Sequence, residues 1–123
     1  MKVVGIMYKQ REIVLVPFPY SDLSSTKRRP VLIVSNDDYN GKYSDVVVAV
    51  ISSRIRPEDT YSILLSNDDL DYGFLPEESA IRVHKLFTID KSRILKKFSI
   101  IKERKYKDVY DILTRLFSSP VLS

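Results

Sequence analysis

The residues best suited to chemistry in this sequence form a run of three cations before a proline, from Lys27 to Pro30. Arginine stays protonated at physiological pH, and its planar guanidinium can donate to two phosphate oxygens at once. Pro30 fixes its own φ and favours an extended backbone at Arg29, which holds that side chain at the mouth of the strand predicted to follow, outside the sheet. The pattern therefore predicts a rigid cation positioned for phosphate.

Other kinds of catalytic site find little support in the chain. Its one histidine, His84, cannot form the histidine pair that some ribonucleases use as base and acid, and we expect its replacement to be nearly silent. The chain has no cysteine for a disulfide or a thiolate metal site. The acidic segment 67–71 resembles a calcium loop, but Tyr72 stands where that loop needs glycine. We therefore predict neither a metal site nor a cofactor.

Charge is unevenly distributed along the chain, although the net charge is only +4. Segment 82–107 holds ten lysines and arginines against two acids, whereas segment 56–81 holds one against seven. A basic face that follows from this pattern suits a polyanion. Ordinary solvated surface explains the same runs, and charge alone favours that explanation. Eight tyrosines and five phenylalanines shift the balance slightly towards nucleic acid, because unpaired bases stack on such rings.

The elements that must position these residues are predicted to be strands followed by one helix. Segment 12–16 is rich in β-branched residues and ends near two prolines, and the polar segment 21–27 predicts a hairpin loop. Continuous β-branched runs predict buried strands at 31–34 and 46–51, with a turn at Asn40-Gly41 between them. Further strands are predicted at 61–65, 80–87 and 96–101, and Asp90 is a candidate cap for a turn at 90–93.

A C-terminal helix is predicted from apolar residues at spacings of three and four, namely Tyr106, Val109, Tyr110, Leu113, Leu116 and Phe117. Its first turn carries Lys102, Arg104 and Lys105, which oppose the positive end of the helix dipole unless Glu103, solvent or a nearby phosphate offsets them. Several short strands before one helix predict a mainly β fold with α, a small curved β-barrel with a packed C-terminal helix.

A family resemblance runs through the same segments. The features that carry it are segment 16–22 (Val-Pro-Phe-Pro-Tyr-Ser-Asp), the run from Lys27 to Val34, segment 48–53 and segment 87–94. Together they resemble the MazF/PemK-like toxins of type II toxin–antitoxin modules, from about Gln10 to the C-terminal helix. The resemblance implies an SH3-like barrel, a symmetric homodimer and a cognate acidic antitoxin that competes with RNA.

The activity that the resemblance implies is metal-independent, sequence-specific cleavage of single-stranded RNA to 2′,3′-cyclic phosphate and 5′-hydroxyl ends. Arg29 and Ser52 match the family's catalytic arginine and its hydroxyl residue, which is usually threonine. The residues Asp22, Lys27, Arg28 and Ser53 lie beside them and are expected to bind RNA. Without the resemblance, Ser52 would be interpreted as the end of a strand. Arginine is a poor general base at neutral pH, so the proton acceptor is left open.

One departure from the family pattern lies at the start of the first strand, where Arg11-Glu12 replaces the common Gly-Asp pair. Two other functions also stay open. One is a catalytically inactive barrel that binds nucleic acid or a protein partner and regulates transcription, and the other is a module used only for assembly.

Length and composition predict one domain over residues 1–123, with residues 1–9 as a candidate N-terminal extension. No apolar run approaches the roughly 20 residues that span a bilayer. We therefore expect a cytoplasmic protein.

Overall fold

The computed structural model describes residues 5–17 and 27–119, and these residues form six strands and two α-helices. The strands are β1 (Glu12–Pro17), β2 (Arg28–Ile33), β3 (Asp45–Ser52), β4 (Ser62–Leu65), β5 (Ser79–Asp90) and β6 (Lys96–Ile100), and the helices are α1 (Asp37–Lys42) and α2 (Glu103–Phe117). All neighbouring strands are antiparallel, in the order β4-β5-β3-β2-β1-β6. The sheet curls into a half-barrel, which confirms the predicted fold class. No helix among these residues is long and apolar enough to cross a membrane.

Both faces of the sheet are buried, because apolar side chains occupy successive positions on its central strands. In β2, Leu32 belongs to the cluster beneath α2, whereas Val31 and Ile33 belong to the cluster on the other face. Strand β3 divides in the same way, with Ala49 and Ile51 beneath α2 and Val46 and Val48 opposite. Alternation along a strand sends neighbouring side chains to opposite faces. The β-branched runs therefore predicted these two strands correctly.

The turn predicted at Asn40-Gly41 is wrong, because these residues lie inside helix α1. Asn36 caps this helix, and its side chain accepts a hydrogen bond from the backbone N–H of Tyr39 at 2.8 Å. Asn40 is buried, and its amide donates to the carbonyl of Tyr8 at 3.1 Å and to that of Ser35 at 3.0 Å. Asn40 is therefore a buried tether inside a helix and does not mark a turn.

Strand β5 is longer than predicted and irregular. Ala49 of β3 lies opposite Leu86, yet the next residue, Val50, lies opposite Arg82. Residues 83–85 therefore have no counterpart on β3, and the strand bulges there. The remaining predicted strands are confirmed to within a few residues, and Asp90 caps the turn after β5 by accepting from the N–H of Ser92 at 2.9 Å.

Helix α2 packs on the sheet through part of the predicted apolar stripe. Val109 is fully buried, and Tyr106 and Leu113 pack against the same cluster. Tyr110 and Phe117, which the spacing also placed on the inner face, are 56% and 73% exposed. The prediction was therefore wrong for these two residues, which lie on the outer edges of the helix.

The cations at the start of α2 are neutralised by a carboxylate of the chain itself. Asp69 is only 8% exposed, and its oxygens lie 3.6 Å from Nη1 of Arg104 and 3.4 Å from Nζ of Lys105. The ammonium of Lys102 donates to the carbonyl of Asp68 at 2.7 Å. Asp68 and Asp69 both belong to a 3₁₀ turn (Asn67–Asp69). This turn offsets the unfavourable placement of cations at the positive end of the α2 dipole, so no nearby phosphate is needed to explain it.

Arg11, the residue immediately before β1, occupies a backbone conformation that normally favours glycine. Its φ is +80°, in the left-handed region. Three hydrogen bonds hold it there: its N–H donates to the carbonyl of Ile33 at 3.0 Å, its carbonyl accepts from the N–H of Ile101 at 3.0 Å, and its guanidinium donates to the carbonyl of Ile101 at 2.7 Å. The departure noted in the sequence thus falls at a position where the backbone itself suits the family's glycine.

Candidate functional site

A polar cleft of about 460 Å³ opens where β2, β3 and β5 meet the segment that follows β3. The described residues that line it are Arg29, Val31, Val50, Ile51, Ser52, Ser53, Arg54, Arg56 and Arg82. Arg29 comes from β2 and Ser52 from the end of β3, so two adjacent strands deliver the predicted catalytic pair to one cleft. The structure brings these two side chains to one site.

Arg29 lies within the sheet, opposite Val16 of β1, and its side chain is exposed. The expectation that it precedes the strand is therefore wrong, since β2 begins at Arg28. The proline is tolerated because the β2–β3 register begins only at Val31, opposite Val50, so the missing N–H of Pro30 removes no bond of that ladder. Arg29 is therefore held by pairing with β1 at the rim of the cleft.

Ser52 is the last residue of β3 and is half-buried. Its Oγ accepts a hydrogen bond from the backbone N–H of Arg54 at 3.1 Å. This local bond restrains a side chain that lacks the methyl group of threonine. Because the oxygen acts here as acceptor, the hydroxyl hydrogen can donate to a ligand in the cleft.

The predicted RNA-binding residues divide into three groups. Ser53 lines the cleft and is exposed. Lys27 and Arg28 are exposed at the start of β2 but do not line the cleft, since alternation places Arg28 and Arg29 on opposite faces of the strand. Asp22 and the hairpin loop predicted around it lie outside the described residues.

Three further arginines line the cleft and were not singled out from the sequence. Arg54 and Arg56 follow β3 directly, and both are exposed; within residues 5–17 and 27–119 neither has an ion pair with a carboxylate. Arg82 is carried by β5, opposite Val50. The two arginines immediately after the predicted strand were a usable signal. Arg82 had none, because only the fold brings β5 beside the end of β3.

Arg82 has a carboxylate partner outside the cleft. Oδ2 of Asp59 lies 3.6 Å from Nη2 of Arg82 and 3.6 Å from Nε2 of His84. A hydrogen bond from Ser62, reinforced by the N–H of Tyr61 and by the nearby His84 and Arg82, lowers the pKa of the Asp59 carboxyl below its usual value. His84 does not line the cleft, and its buried Nδ1 has no hydrogen-bond partner in the described part of the chain.

The chemistry that this cleft can perform is stabilisation of negative charge. Four guanidinium groups and two serine hydroxyls are among the described groups at one opening, and none of the described lining residues is a carboxylate or a histidine. Among the described residues, no group of three or more histidine and carboxylate side chains is arranged to hold a metal ion. Donors of this kind bind phosphate and stabilise charge that develops on its oxygens.

Comparison with known proteins agrees with the fold. A model of the family described as "PemK-like, MazF-like toxin of type II toxin-antitoxin system" matches residues 9–117. A search of curated protein sequences gave no significant match.

Solved structures with the same architecture include an endoribonuclease in complex with its cognate antitoxin from a mycobacterial species, with a TM-score of 0.72 and 15% identity over 94% of this chain and 98% of that one. The Mycobacterium tuberculosis toxin MazF-mt6 has a TM-score of 0.69 and 17% sequence identity, over 87% of this chain and 96% of that one. A MazE-MazF structure from Deinococcus radiodurans has a TM-score of 0.72 and 17% sequence identity, over 93% of this chain and 98% of that one. At these identities the similarity establishes the fold.

Proposed function

Because the chain belongs to the PemK-like, MazF-like family of toxins of type II toxin–antitoxin systems, we propose that it is an endoribonuclease that cleaves single-stranded RNA in the arginine-lined cleft. The observation that carries the proposal is the meeting of Arg29 and Ser52 in that cleft beside three further arginines. A guanidinium and a hydroxyl at one opening suit a phosphodiester, whose two non-bridging oxygens accept from both.

The proposed reaction uses the 2′-hydroxyl of the RNA as nucleophile. Its oxygen attacks the adjacent phosphorus, the bond from phosphorus to the 5′-oxygen breaks, and the 5′-oxygen takes up a proton from water. The products are a 2′,3′-cyclic phosphate and a 5′-hydroxyl end. Negative charge grows on the non-bridging oxygens during attack, and donors already aimed at those oxygens lower the barrier. We assign this role to Arg29 and Ser52.

The proton of the attacking 2′-hydroxyl passes to water or to a group outside the described lining. Arg29 does not accept it, since a guanidinium is almost never deprotonated at neutral pH. The described lining offers no carboxylate or imidazole in its place. No metal is assigned a part in this mechanism.

The sharpest test uses the purified protein and a single-stranded RNA that it cuts. A single 2′-deoxy substitution at the cleaved position should abolish cleavage there, and the products of the unmodified RNA should carry 5′-hydroxyl ends. Cleavage should persist in EDTA. Cleavage of the 2′-deoxy RNA, or strict dependence on a divalent metal, would overturn the mechanism.

A catalytically inactive barrel that binds nucleic acid is the competing function. The exposed arginines after β3 suffice for it, and Ser52 is then incidental. Salt-sensitive binding of RNA without any cleavage, across a wide set of RNA sequences, would establish this alternative.

We further propose that an acidic segment of a cognate antitoxin occupies the same cleft, and that the toxin is a homodimer. Carboxylates suit the guanidinium groups as phosphates do. An acidic antitoxin peptide should compete with RNA for the wild type. Equal competition with RNA for binding to the folded Arg28→Ala/Arg29→Ala double variant would contradict the shared cleft. Sedimentation that shows only monomer at micromolar concentration would contradict the dimer.

A further inference from the structure

Asp59 connects the cleft to a part of the molecule that does not line it. It lies between β3 and β4, and its Oδ2 lies 3.6 Å from Nη2 of Arg82 and 3.6 Å from Nε2 of His84, both on β5. Arg82 lines the cleft, whereas Asp59 and His84 do not. A single carboxylate therefore touches a cation of the candidate site from outside that site.

The position of Asp59 is itself well determined. Its side chain is 14% exposed and accepts from the N–H of Tyr61 at 3.1 Å and from Oγ of Ser62 at 2.7 Å. Its backbone N–H donates to the carbonyl of Arg56 at 3.0 Å, which closes the turn that carries another cleft arginine. These contacts fix the position of the carboxylate independently of Arg82.

The strand that carries Arg82 is tied to the same segment. The N–H of Val83 donates to the carbonyl of Tyr61 at 3.0 Å, at the point where β5 bulges away from β3. Arg82 and His84 are two positions apart on this strand, so both side chains lie on the face that meets Asp59.

An arginine side chain has several rotatable bonds, and its free rotation opposes binding in any single geometry. Arg82 keeps a side-chain exposure of 25% while its Nη2 lies 3.6 Å from Oδ2 of Asp59, and the same residue lines the cleft. Planar guanidinium groups have five N–H donors, which is enough to bind a carboxylate and a phosphate together.

We propose that Asp59 is a positioning residue for RNA binding, which restrains Arg82 so that its remaining donors meet an RNA phosphate in the cleft. The proposal rests on the proposed function, because it takes RNA as the ligand. Asp59 itself does not contact RNA. Nε2 of His84 lies 3.6 Å from the same carboxylate oxygen, and no role in RNA binding is assigned to it.

This role and simple electrostatics predict opposite results. Asp59 is an anion near a site for a polyanion, so its neutralisation should strengthen RNA binding if only net charge matters. If Asp59 orients Arg82, its neutralisation should weaken binding instead. Asp59→Asn is the informative variant, since asparagine keeps an oxygen for the N–H of Tyr61 while it loses the charge that pairs with Arg82.

The experiment measures the affinity of the full chain for a short single-stranded RNA of mixed sequence that carries 2′-deoxy sugars and is not cut. We expect Asp59→Asn to weaken binding by roughly three- to tenfold and to lower the slope of log affinity against log salt by about one, as loss of one phosphate contact does. Glu58→Gln is the matched control: it removes the same charge from the same segment at an exposed position, and it should leave affinity unchanged or slightly stronger.

A double-mutant cycle separates positioning from a general effect on folding. In an Arg82→Ala background, Asp59→Asn should cause no further loss, because the residue through which it acts is gone. Equal losses with and without Arg82, or tighter binding by Asp59→Asn, would overturn the proposal. If Asp59→Asn does not fold, Arg82→Lys decides: binding equal to that of the wild type would show that the guanidinium's restrained geometry is unimportant.

Cleavage kinetics give a second reading of the same variant. A residue that acts through substrate binding should raise KM for a cleavable RNA and leave kcat within about twofold. Failure of the proposed function is distinguishable from failure of this proposal, because a wild type that binds but never cuts contradicts the first and leaves the affinity measurements able to decide the second.

Discussion

The arginine-lined cleft and the start of helix α2 are both rich in cations, and they differ in what surrounds those cations. At α2, Arg104 and Lys105 meet the nearly buried carboxylate of Asp69. In the cleft, Arg54 and Arg56 are exposed and have no carboxylate partner among the described residues. The density of basic residues in the sequence therefore does not locate a site for an anion. A cluster of cations can serve as an anion site where the fold supplies no carboxylate to neutralise it.

The difference has an energetic meaning. Asp69 lies in a capping box with Ser66, whose N–H donates to its Oδ2 at 2.9 Å, and it also offsets the positive end of the α2 dipole. The charges of Asp69, Arg104 and Lys105 therefore stabilise the fold. The cleft keeps several positive charges close together, and their mutual repulsion favours a bound anion. The following expectations test this division between a neutralised region and a region reserved for ligand.

The largest effect is expected for Arg29→Ala. Loss of a donor aimed at a developing oxyanion should reduce RNA cleavage by about 10²-fold or more. The melting temperature should stay close to that of the wild type, because the side chain is exposed. Arg93→Ala, an exposed arginine outside the cleft, is the control and should cleave normally. Comparable loss in both variants would mean that net charge, not the cleft, governs activity.

Ser52→Ala should come next, with a loss of cleavage on the order of 10²-fold at unchanged affinity for uncleavable RNA. Ser52→Thr keeps the hydroxyl, and we expect it to retain activity. Single-turnover rates at saturating RNA measure the effect on chemistry. Full activity in Ser52→Ala would remove the hydroxyl from the mechanism.

Asp69→Asn should have the reverse profile, with a loss of stability and retained activity. Two cations would lose their carboxylate, one of them on the largely buried Lys105, and the free energy of unfolding should fall by about 1–3 kcal/mol. Denaturation by urea measures this change, and cleavage per folded molecule should remain unaltered. Asp68→Asn is the matched control, since Asp68 contributes its backbone carbonyl to Lys102 and Arg104. A marked loss of cleavage in Asp69→Asn would place α2 in the site.

Arg54→Gln should weaken RNA binding by a few-fold and reduce the salt slope by about one, with the rate at saturating RNA little changed. Its free energy of unfolding should not fall, because no carboxylate partner is lost among the described residues. Titrations at several salt concentrations measure the slope. An unchanged slope would mean that Arg54 does not contact a phosphate.

The smallest effect concerns Tyr106 at the base of α2, and it depends on pH. Burial, followed by the neighbouring Tyr110, raises the pKa of Tyr106 to about 12, and its hydroxyl donates to the carbonyl of Val34 at 2.9 Å. Folding therefore favours the neutral form. This stabilisation is fully present below the unfolded pKa of about 10 and is lost as pH rises through the folded value. The stability difference between wild type and Tyr106→Phe should shrink over that range, and a pH-independent difference would contradict the assignment.

Much of the scaffold could be predicted from the sequence because it depends on local pattern. The β-branched runs in β2 and β3 are long enough to identify buried strands, and the resemblance added the pairing of Arg29 with Ser52. Helix α1 was missed because six residues show too little periodicity and Gly41 indicates a turn. The bulge in β5 has no local signal either.

Contacts between distant segments were beyond the sequence for a different reason. The cations of α2 were recognised as a conflict, but the identity of Asp69 as their partner depends on how residues more than thirty positions apart meet. The ion pair of Asp59 with Arg82 is of the same kind. The type of a side chain determines which interactions it can form, but the tertiary structure determines which residues are close enough to form them.

The pairing of β1 with β6 has a consequence for the order of events during protein synthesis. Strand β1 lies between β2 and β6, so one of its two neighbours is translated long after β1 itself. At about 5–20 residues per second, Ile100 follows its partner Glu12 by roughly 4 to 18 s. Until then β1 has an open edge, and Arg11 cannot form its bonds to Ile101. The nascent chain thus completes its sheet only after β6 has been synthesised, and the interval is set by the 88 positions that separate Glu12 from Ile100.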